Sequence, residues 1–421
     1  MIGLNELQHR VSRLDNPYQF VELCAALVLA TAAKNSVALS GFSWNLNISE
    51  PDGGVDQRFI GADKVVPRII PGKTVVYQCK AGDGAGSAND IALNDVINKS
   101  NVKRRLEDGD HFVYFAGRKR HAEFERDITE KLKENGFPVP EERIHYLGPE
   151  YLAGLLRNYP GLLARYLNLH HECLPLDKWS ERASMSNPFV SGESPEIQSR
   201  LTSLSNHLMS GTGFTEIYGA AGNGKSRMVL EALKTCGQEQ EIEKHVLYTH
   251  DFKVAEKLIS RIRDFPEAEA LLVADDLEPS EIRLLKDLYP TCPRGFGIVA
   301  IGLDTSKRDS GGVFSIPSVS AETLNLILQK ALPGLPGESR KRLAELCSGS
   351  PKLAVLLAEK IDADPSILQR SLLTNQEARD TVAELLSTDW SPEQLKALSA
   401  VALFSRLGWH DEYEKESEII F

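Results

Sequence analysis

Residues Gly219 to Ser226 read Gly-Ala-Ala-Gly-Asn-Gly-Lys-Ser and satisfy the pattern G-x-x-x-x-G-K-[ST]. They follow a short strand-like run, Thr215 to Tyr218, and precede a helix-like run that begins at Lys225. In that setting the loop backbone wraps phosphate groups, and the helix N-terminus favours their negative charge. The predicted phosphate-binding residues are Gly219, Gly222, Asn223, Gly224, Lys225 and Ser226, with Lys225 on the outer phosphates and Ser226 on Mg²⁺. The motif predicts a nucleotide site on a parallel α/β sheet; the alternative is a chance glycine turn.

A second motif lies downstream, where four apolar residues, Leu271 to Ala274, end in Asp275 and Asp276. This pattern fits a buried parallel strand that delivers carboxylates at its C-terminal edge. We expect Asp275 to hold Mg²⁺ through water and Asp276 to position or deprotonate the attacking water. Taken alone, the pair is equally explained by a strand followed by a helix cap.

Together these residues resemble the STAND class of AAA+-related signalling ATPases. The resemblance runs from Ser186 to Ile361. It rests on Asn187-Pro188-Phe189, the glycine-rich loop, the Asp275-Asp276 pair, the strand-like run Gly297 to Ile301 and the tripeptide Gly349-Ser350-Pro351. It implies ATP and Mg²⁺ as cofactors, with Pro351 near the nucleotide and Arg308 as a sensor of the γ-phosphate. An ordinary helix start and a solvated loop arginine are the alternatives for these two residues.

The N-terminal part carries a different constellation. Asp56 follows a Gly-Gly turn, and a strand-like run that begins at Val75 contains Gln78 and Lys80, which alternate onto one face. A carboxylate, an amide oxygen and a lysine on adjacent strands make a plausible Mg²⁺-dependent phosphodiesterase site. Asp56 and Gln78 would bind the metal, while Lys80 orients or activates water. A turn residue and a polar strand face are the alternative.

These residues resemble the PD-(D/E)xK restriction-endonuclease superfamily, in particular its Mrr-like branch, in which Gln often replaces the acid before Lys. The resemblance covers about residues 1 to 150 and implies that Glu22, on the first long helix, completes the catalytic and metal-binding set. A solvated helix position is the alternative for Glu22. Replacing an acid by Gln78 removes one negative charge from the metal site, so weak activity also fits the pattern.

Composition bounds the remaining possibilities. The net charge is −11, which discourages non-specific binding to nucleic acid by the chain as a whole. A DNA partner needs a local basic surface, for which Lys103-Arg104-Arg105 and Arg118-Lys119-Arg120-His121 are candidates, although solvated loop ends explain them too. The six cysteines form no C-x-x-C pair, and the longest apolar stretch, Leu23 to Ala33, is too short to cross a bilayer. We expect a cytosolic protein with reduced cysteines and no membrane contact.

The predicted fold class is α/β, with a restriction-endonuclease-like domain followed by a P-loop (AAA+/STAND) NTPase domain and a C-terminal helical or winged-helix segment. The predicted boundaries are 1–170 for the nuclease-like domain, 171–194 for a linker, 195–320 for the NTPase core, 321–365 for its helical subdomain and 366–421 for the C-terminal unit.

This order of domains resembles anti-phage defence proteins of the Avs kind. The resemblance implies a STAND NTPase that oligomerises with itself and activates a metal-dependent endonuclease on double-stranded DNA after a phage protein binds a sensor region. Residues 366–421 are too few for the repeat array of such a sensor, so we expect a truncated chain or a separate trigger-binding partner. The alternative is an ATP-switched DNA- or protein-binding regulator whose nuclease-like domain is inactive. A DNA translocase fits less well, because a second motor domain is not evident.

Overall fold

The computed structural model describes residues 3–44, 55–170, 172–184, 189–190, 194–209, 211–240, 245–304 and 309–363. Arg308, the Gly-Gly turn before Asp56 and the predicted unit 366–421 lie outside these residues. The chain divides into two compact units. The first comprises Met1–Met185, Pro195–Ala221 and Lys225–Pro317, and the second comprises Ser186–Ser194, Gly222–Gly224 and Ser318–Phe421.

The N-terminal part of the first unit contains a five-stranded sheet in the order β1-β2-β3-β4-β5. Its first two pairings are antiparallel, and β3, β4 and β5 run parallel. The strands are β1 (Phe42–Trp44), β2 (Gln57–Ile60), β3 (Thr74–Lys80), β4 (His111–Ala116) and β5 (Ile144–Leu147). The helices of this part are α1 (Leu4–Ser12), α2 (Pro17–Lys34), α3 (Ala88–Asp90), α4 (Ser100–Glu107), α5 (Phe124–Glu134), α6 (Pro149–Leu156) and α7 (Pro160–Leu167).

Helices cover both faces of this sheet. Tyr77 and Cys79 of β3 pack in one core with α1, α2, α6 and α7, whereas Val76 packs in a second core with α4 and α5. Gln78 and Lys80 therefore project towards the second core, because residues alternate along a strand. Helix α2 begins at Pro17 because the Asn16 side chain accepts hydrogen bonds from the first turn and proline is favoured at the first position.

The second sheet has six strands in the order β11-β7-β10-β9-β8-β6, and every pairing except β6 with β8 is parallel. The strands are β6 (Leu174–Pro175), β7 (Gly213–Tyr218), β8 (Val246–Thr249), β9 (Glu269–Leu277), β10 (Gly295–Gly302) and β11 (Val313–Ser315). The accompanying helices are α8 (Leu176–Ser184), α9 (Pro195–Leu208), α10 (Lys225–Gln240), α11 (Phe252–Ile262) and α12 (Pro279–Leu288). This alternation confirms the predicted parallel α/β sheet.

The predicted linker 171–194 was wrong in its first half. Leu174 and Pro175 pair with β8 as an antiparallel edge strand, and α8 follows directly. The Trp179 ring of α8 stacks on Tyr248 at 4.2 Å between centroids. The loop-like composition of this segment hid a two-residue strand and an amphipathic helix, because both depend on contacts with residues distant in sequence.

In the second unit, the described residues after Ser318 form three helices. These are α13 (Ala321–Ala331), α14 (Gly337–Leu346) and α15 (Pro351–Ala363), and they lie within residues 321–365, for which helices were predicted. Ser320 caps α13 by accepting a hydrogen bond from the Thr323 amide. Within the described part of the chain, every helix falls short of the length and apolarity needed to span a membrane.

Candidate functional site

The glycine-rich loop joins β7 to α10, as the sequence predicts. Gly219, Gly222 and Gly224 all have positive φ angles, at 153°, 80° and 83°. A side chain is strained in that region, and a Cβ on Gly219 would also lie 2.3 Å from the Ile316 carbonyl oxygen. The loop thus requires glycine for its backbone path, as a phosphate-binding loop does. Asn223 is buried within it.

Lys225 begins α10 and turns its ammonium group back over the loop. Its Nζ donates hydrogen bonds to the carbonyl oxygens of Gly219, at 3.1 Å, and Ala220, at 2.9 Å. Burial lowers the pKa of Lys225, while the charges of Asp275 and Asp276 oppose that shift. A half-buried cation that donates to neutral carbonyls at the N-terminus of a helix is suited to an anionic ligand. Ser226 follows in the same first turn.

Asp275 lies near the carboxyl end of β9. Because β10 lies between β7 and β9, the loop and Asp275 occupy the same edge of the parallel sheet. Asp275 is 7% exposed, and its Oδ2 accepts a hydrogen bond from the Tyr248 hydroxyl at 2.9 Å. Burial, followed by the Asp275 charge, raises the pKa of Tyr248, so the phenol stays protonated as a donor.

Asp276 differs from Asp275 in its exposure and in its backbone conformation. It is exposed, its φ angle is +57°, and the register between β9 and β10 shifts at this point. Its amide donates to Asp275 Oδ1 at 2.8 Å. A non-glycine residue with positive φ is strained, and such strain is concentrated at functional sites. The bulge separates a buried carboxylate from an exposed one at the end of a single strand.

The central part of the loop, Gly222 to Gly224, belongs to the second unit, together with the Gly349-Ser350-Pro351 turn. The Lys352 amide donates to the Gly222 carbonyl oxygen at 3.1 Å, and a Cβ on Gly224 would lie 4.0 Å from Pro351 Cγ. Pro351 is therefore placed beside the loop, and it also begins α15. The helix start is thus confirmed, and a place of Pro351 near the nucleotide stays a prediction.

In the N-terminal sheet, Asp56 and Gln78 meet directly. Asp56 Oδ2 accepts hydrogen bonds from Gln78 Nε2 and from the Cys79 amide, each at 2.7 Å. Gln78 is 5% exposed, and its buried Oε1 has no hydrogen-bond partner among the residues that the structure describes. Leaving such an atom unsatisfied costs about 1–3 kcal/mol. A carboxylate beside an orphaned amide oxygen is a donor set that fits Mg²⁺, which prefers oxygen ligands.

Lys80 lies two residues further along β3 and has a partner that the sequence did not indicate. Its Nζ is 3.3 Å from Asp95 Oδ1, and Asp95 Oδ2 accepts a hydrogen bond from the Tyr114 hydroxyl at 3.0 Å. Asp95 is 8% exposed and lies on a π-helical segment, Ile91–Ile97, that continues α3. The structure thus brings Asp56, Gln78 and Lys80 to one end of β3 and adds Asp95.

Glu22 does not join this hydrogen-bonded cluster. It lies on α2, which packs against the face of the sheet that carries Tyr77 and Cys79, opposite the face of Gln78 and Lys80. Among the described residues, no three His, Cys, Asp or Glu side chains are grouped as metal ligands. The role of Glu22 stays a prediction.

Several side chains of the candidate basic surface at Arg118-Lys119-Arg120-His121 are engaged by other parts of the protein. Three of its four side chains have partners: Lys119 with Glu150 at 2.8 Å, Arg120 with the Ala85 carbonyl at 2.8 Å and His121 with Asp127 at 3.1 Å. Arg120 fixes the loop that follows Lys80, which is a structural role. This cluster is a weaker candidate for DNA contact than its composition suggests.

A direct connection links the N-terminal helices to the strand that carries Asp275. Lys34, the last residue of α2, has its Nζ 2.9 Å from Glu267 Oε2 and 3.6 Å from Glu269 Oε1. The Glu269 amide donates to the Asn158 carbonyl oxygen at 2.7 Å. Since β9 runs from Glu269 to Leu277, its first residue contacts the N-terminal part and its carboxyl end bears Asp275.

No family model matches the sequence, and no curated protein matches it. The chain is similar to several solved structures. PCH-2 of C. elegans is 12% identical with a TM-score of 0.32, and the match covers 46% of this chain and 68% of that one. The Walker-type ATPase of Pyrococcus abyssi is 12% identical with a TM-score of 0.27, and the match covers 49% of this chain and 87% of that one. A STAND protein with a tetratricopeptide repeat sensor from Pyrococcus horikoshii is 18% identical with a TM-score of 0.25, and the match covers 41% of this chain and 31% of that one. This chain spans less than a third of that STAND protein. At such scores the likenesses carry no argument, and the P-loop fold rests on the loop, the strand order and α10.

Proposed function

We propose that this chain is an ATP-binding P-loop NTPase of the STAND kind whose nucleotide state controls an N-terminal, Mg²⁺-dependent DNA endonuclease. The observation that carries the first half is the glycine-specific loop with Lys225 folded over it. The second half is supported by the meeting of Asp56, Gln78 and Lys80 at one end of β3.

In the nucleotide site, Lys225 exchanges its bonds to the loop carbonyls for bonds to the outer phosphates of ATP. Ser226 and Asp275 would hold Mg²⁺, which supplies charge neutralisation when bound. Asp276, exposed at the bulge, positions the attacking water. The resemblance to STAND ATPases implies that Pro351 borders the nucleotide and that Arg308 senses its γ-phosphate.

In the N-terminal site, Asp56 and Gln78 would hold Mg²⁺, with Glu22 as a further ligand. The ion, when bound, activates water and polarises a phosphodiester group. Ligation requires the Gln78 amide to turn so that Oε1 faces the same space as Asp56, and this gives the orphaned oxygen a partner. Lys80 orients the water and steadies the negative charge that develops on the phosphate.

Coupling between the two sites is supported by the contact of α2 with β9. A shift of β9 when Asp275 engages nucleotide would act on Glu269, Lys34 and therefore α2. Homo-oligomerisation would place two nuclease sites on one duplex, which a double-strand cut requires. It would also pool weak local contacts with DNA on a chain whose net charge is −11.

We propose anti-phage defence as the biological setting, with a phage protein as the trigger, because the resemblance of the domain order implies it. The alternative function is an ATP-switched DNA- or protein-binding regulator with an inactive nuclease-like domain. It is favoured by the engagement of Asp56 with Gln78 and the Cys79 amide, which leaves the carboxylate already hydrogen-bonded.

Cleavage of supercoiled and linear plasmid by the full chain, with Mg²⁺ or Mn²⁺ and with or without ATP, distinguishes the two functions. The nuclease proposal predicts cutting that Lys80→Ala removes while ATP binding is retained. The matched control is Lys119→Ala, which removes an exposed lysine and its ion pair from the same domain. Metal-dependent DNA binding without cutting would support the regulator instead.

A further inference from the structure

Asp95 is a buried carboxylate that the sequence pattern did not identify. Only 8% of it is exposed, and both its oxygens are engaged, one by Lys80 Nζ at 3.3 Å and the other by the Tyr114 hydroxyl at 3.0 Å. Burying a charge is costly unless it is paired. Its pairing with the one lysine of the candidate site is therefore a specific arrangement and not a solvated surface contact.

The backbone that carries Asp95 is unusual as well. The segment Ile91–Ile97 is π-helical over seven residues, directly after α3. π-helical turns are rare and are found frequently at functional sites, because the extra residue redirects the side chains that follow. Here Ile91 and Val96 enter the apolar core while Asp95 reaches the end of β3.

Tyr114 connects Asp95 to the strand that carries Gln78. It pairs in register with Gln78 across β3 and β4. Burial raises the pKa of Tyr114, and the charges of Asp95 and, to a smaller extent, Asp56 raise it further. The phenol stays protonated and donates to Asp95.

We propose that Asp95 is the second carboxylate of the N-terminal site, a positioning residue that, together with Tyr114, fixes Lys80 towards the scissile phosphate. The inference rests on the proposed nuclease function. It also accounts for the charge of the site. Gln78 stands in place of an acid and carries no charge, and Asp95, on the π-helical segment, supplies the missing negative charge.

Asp95→Asn in the full chain, with Asp90→Asn as the matched control, tests this role. Asp90 lies on α3, is exposed, and only caps the helix through Ser87, so the control removes the same charge without touching Lys80. We expect Asp95→Asn to reduce DNA cleavage about 100-fold. Its affinity for uncut DNA in Ca²⁺ should stay equal or rise, because a negative charge near the phosphate is removed. A purely structural role would weaken cleavage and binding together.

A second readout does not depend on nuclease activity. The rate at which acetic anhydride modifies Lys80 at fixed pH, followed by peptide mass spectrometry, should rise about fivefold in Asp95→Asn and remain at the parent value in Asp90→Asn. Tyr114→Phe, which removes only a hydroxyl, should also raise the acetylation rate of Lys80, by a smaller factor. This variant replaces Asp95→Asn in the test if Asp95→Asn fails to fold.

The outcomes separate the two claims. A parent chain that never cuts DNA refutes the proposed function, while the acetylation rate still decides whether Asp95 holds Lys80. Equal acetylation of Lys80 in the Asp95 and Asp90 variants overturns the inference. So does parental cleavage by Asp95→Asn.

Discussion

Lys225→Ala is expected to remove nucleotide binding from the P-loop. In the described structure, Lys225 Nζ bonds to two neutral loop carbonyls, at 3.1 and 2.9 Å, and these give way to charge-assisted bonds with phosphate oxygens when ATP binds. Hydrogen bonds to charged groups contribute about 1.5–3 kcal/mol each. The exchanged carbonyl bonds offset part of this, so the net loss is about 3 kcal/mol, or roughly 150-fold in Kd.

Calorimetric titration of ATP in Mg²⁺ measures this change, with the melting temperature of the nucleotide-free protein confirming that the variant folds. The matched control is Lys234→Ala on the same helix, where the lysine contacts Glu231 at 3.3 Å on the protein surface. A Kd for Lys225→Ala within threefold of the parent value would refute the assignment of the loop as the phosphate site.

Three further predictions follow from individual contacts. Asp275→Asn should reduce ATP turnover more than ATP binding, as measured by phosphate release and by titration of the same preparation, because its carboxylate acts through Mg²⁺. Burial lowers the pKa of His145 to about 4, from 6.5 in the unfolded chain. The unfolded state therefore binds more protons between these values, and the free energy of unfolding decreases as the pH is lowered from about 6.5 to about 4. His145→Gln should flatten that part of a plot of melting temperature against pH, and an unchanged slope would contradict burial of His145 as the cause. Lys34→Ala removes the contact between α2 and Glu269. It should leave the ATP affinity unaltered and weaken the response of DNA cleavage to ATP several-fold. An undiminished response would show that the two sites are coupled through other residues.

The sequence predicted the parts of the site that are local in the chain. The glycine-rich loop, Asp275 at the end of an apolar strand and the start of α15 at Pro351 are each specified by a few consecutive residues. Their backbone conformations can be predicted from residue type, because positive φ angles, for example, favour glycine.

The parts that sequence reasoning missed depend on distant contacts. Asp95 reaches Lys80 only because a π-helical segment packs against β3 and β4, and a lone Asp in a helix-like pattern gives no signal of this. The edge strand at Leu174 forms by pairing with β8, far along the chain. The face of the sheet on which α2 packs was likewise undetermined by periodicity.

The most direct test of the central claim is the rate of plasmid cleavage measured against the concentration of the full chain, with Mg²⁺ and with or without ATP. If the P-loop unit assembles the chain and activates the N-terminal site, cleavage in ATP rises more steeply than the first power of concentration. Both Lys225→Ala and Lys80→Ala then lose it. A rate that is unaffected by ATP and by both substitutions, or no cleavage at any concentration, would contradict the account.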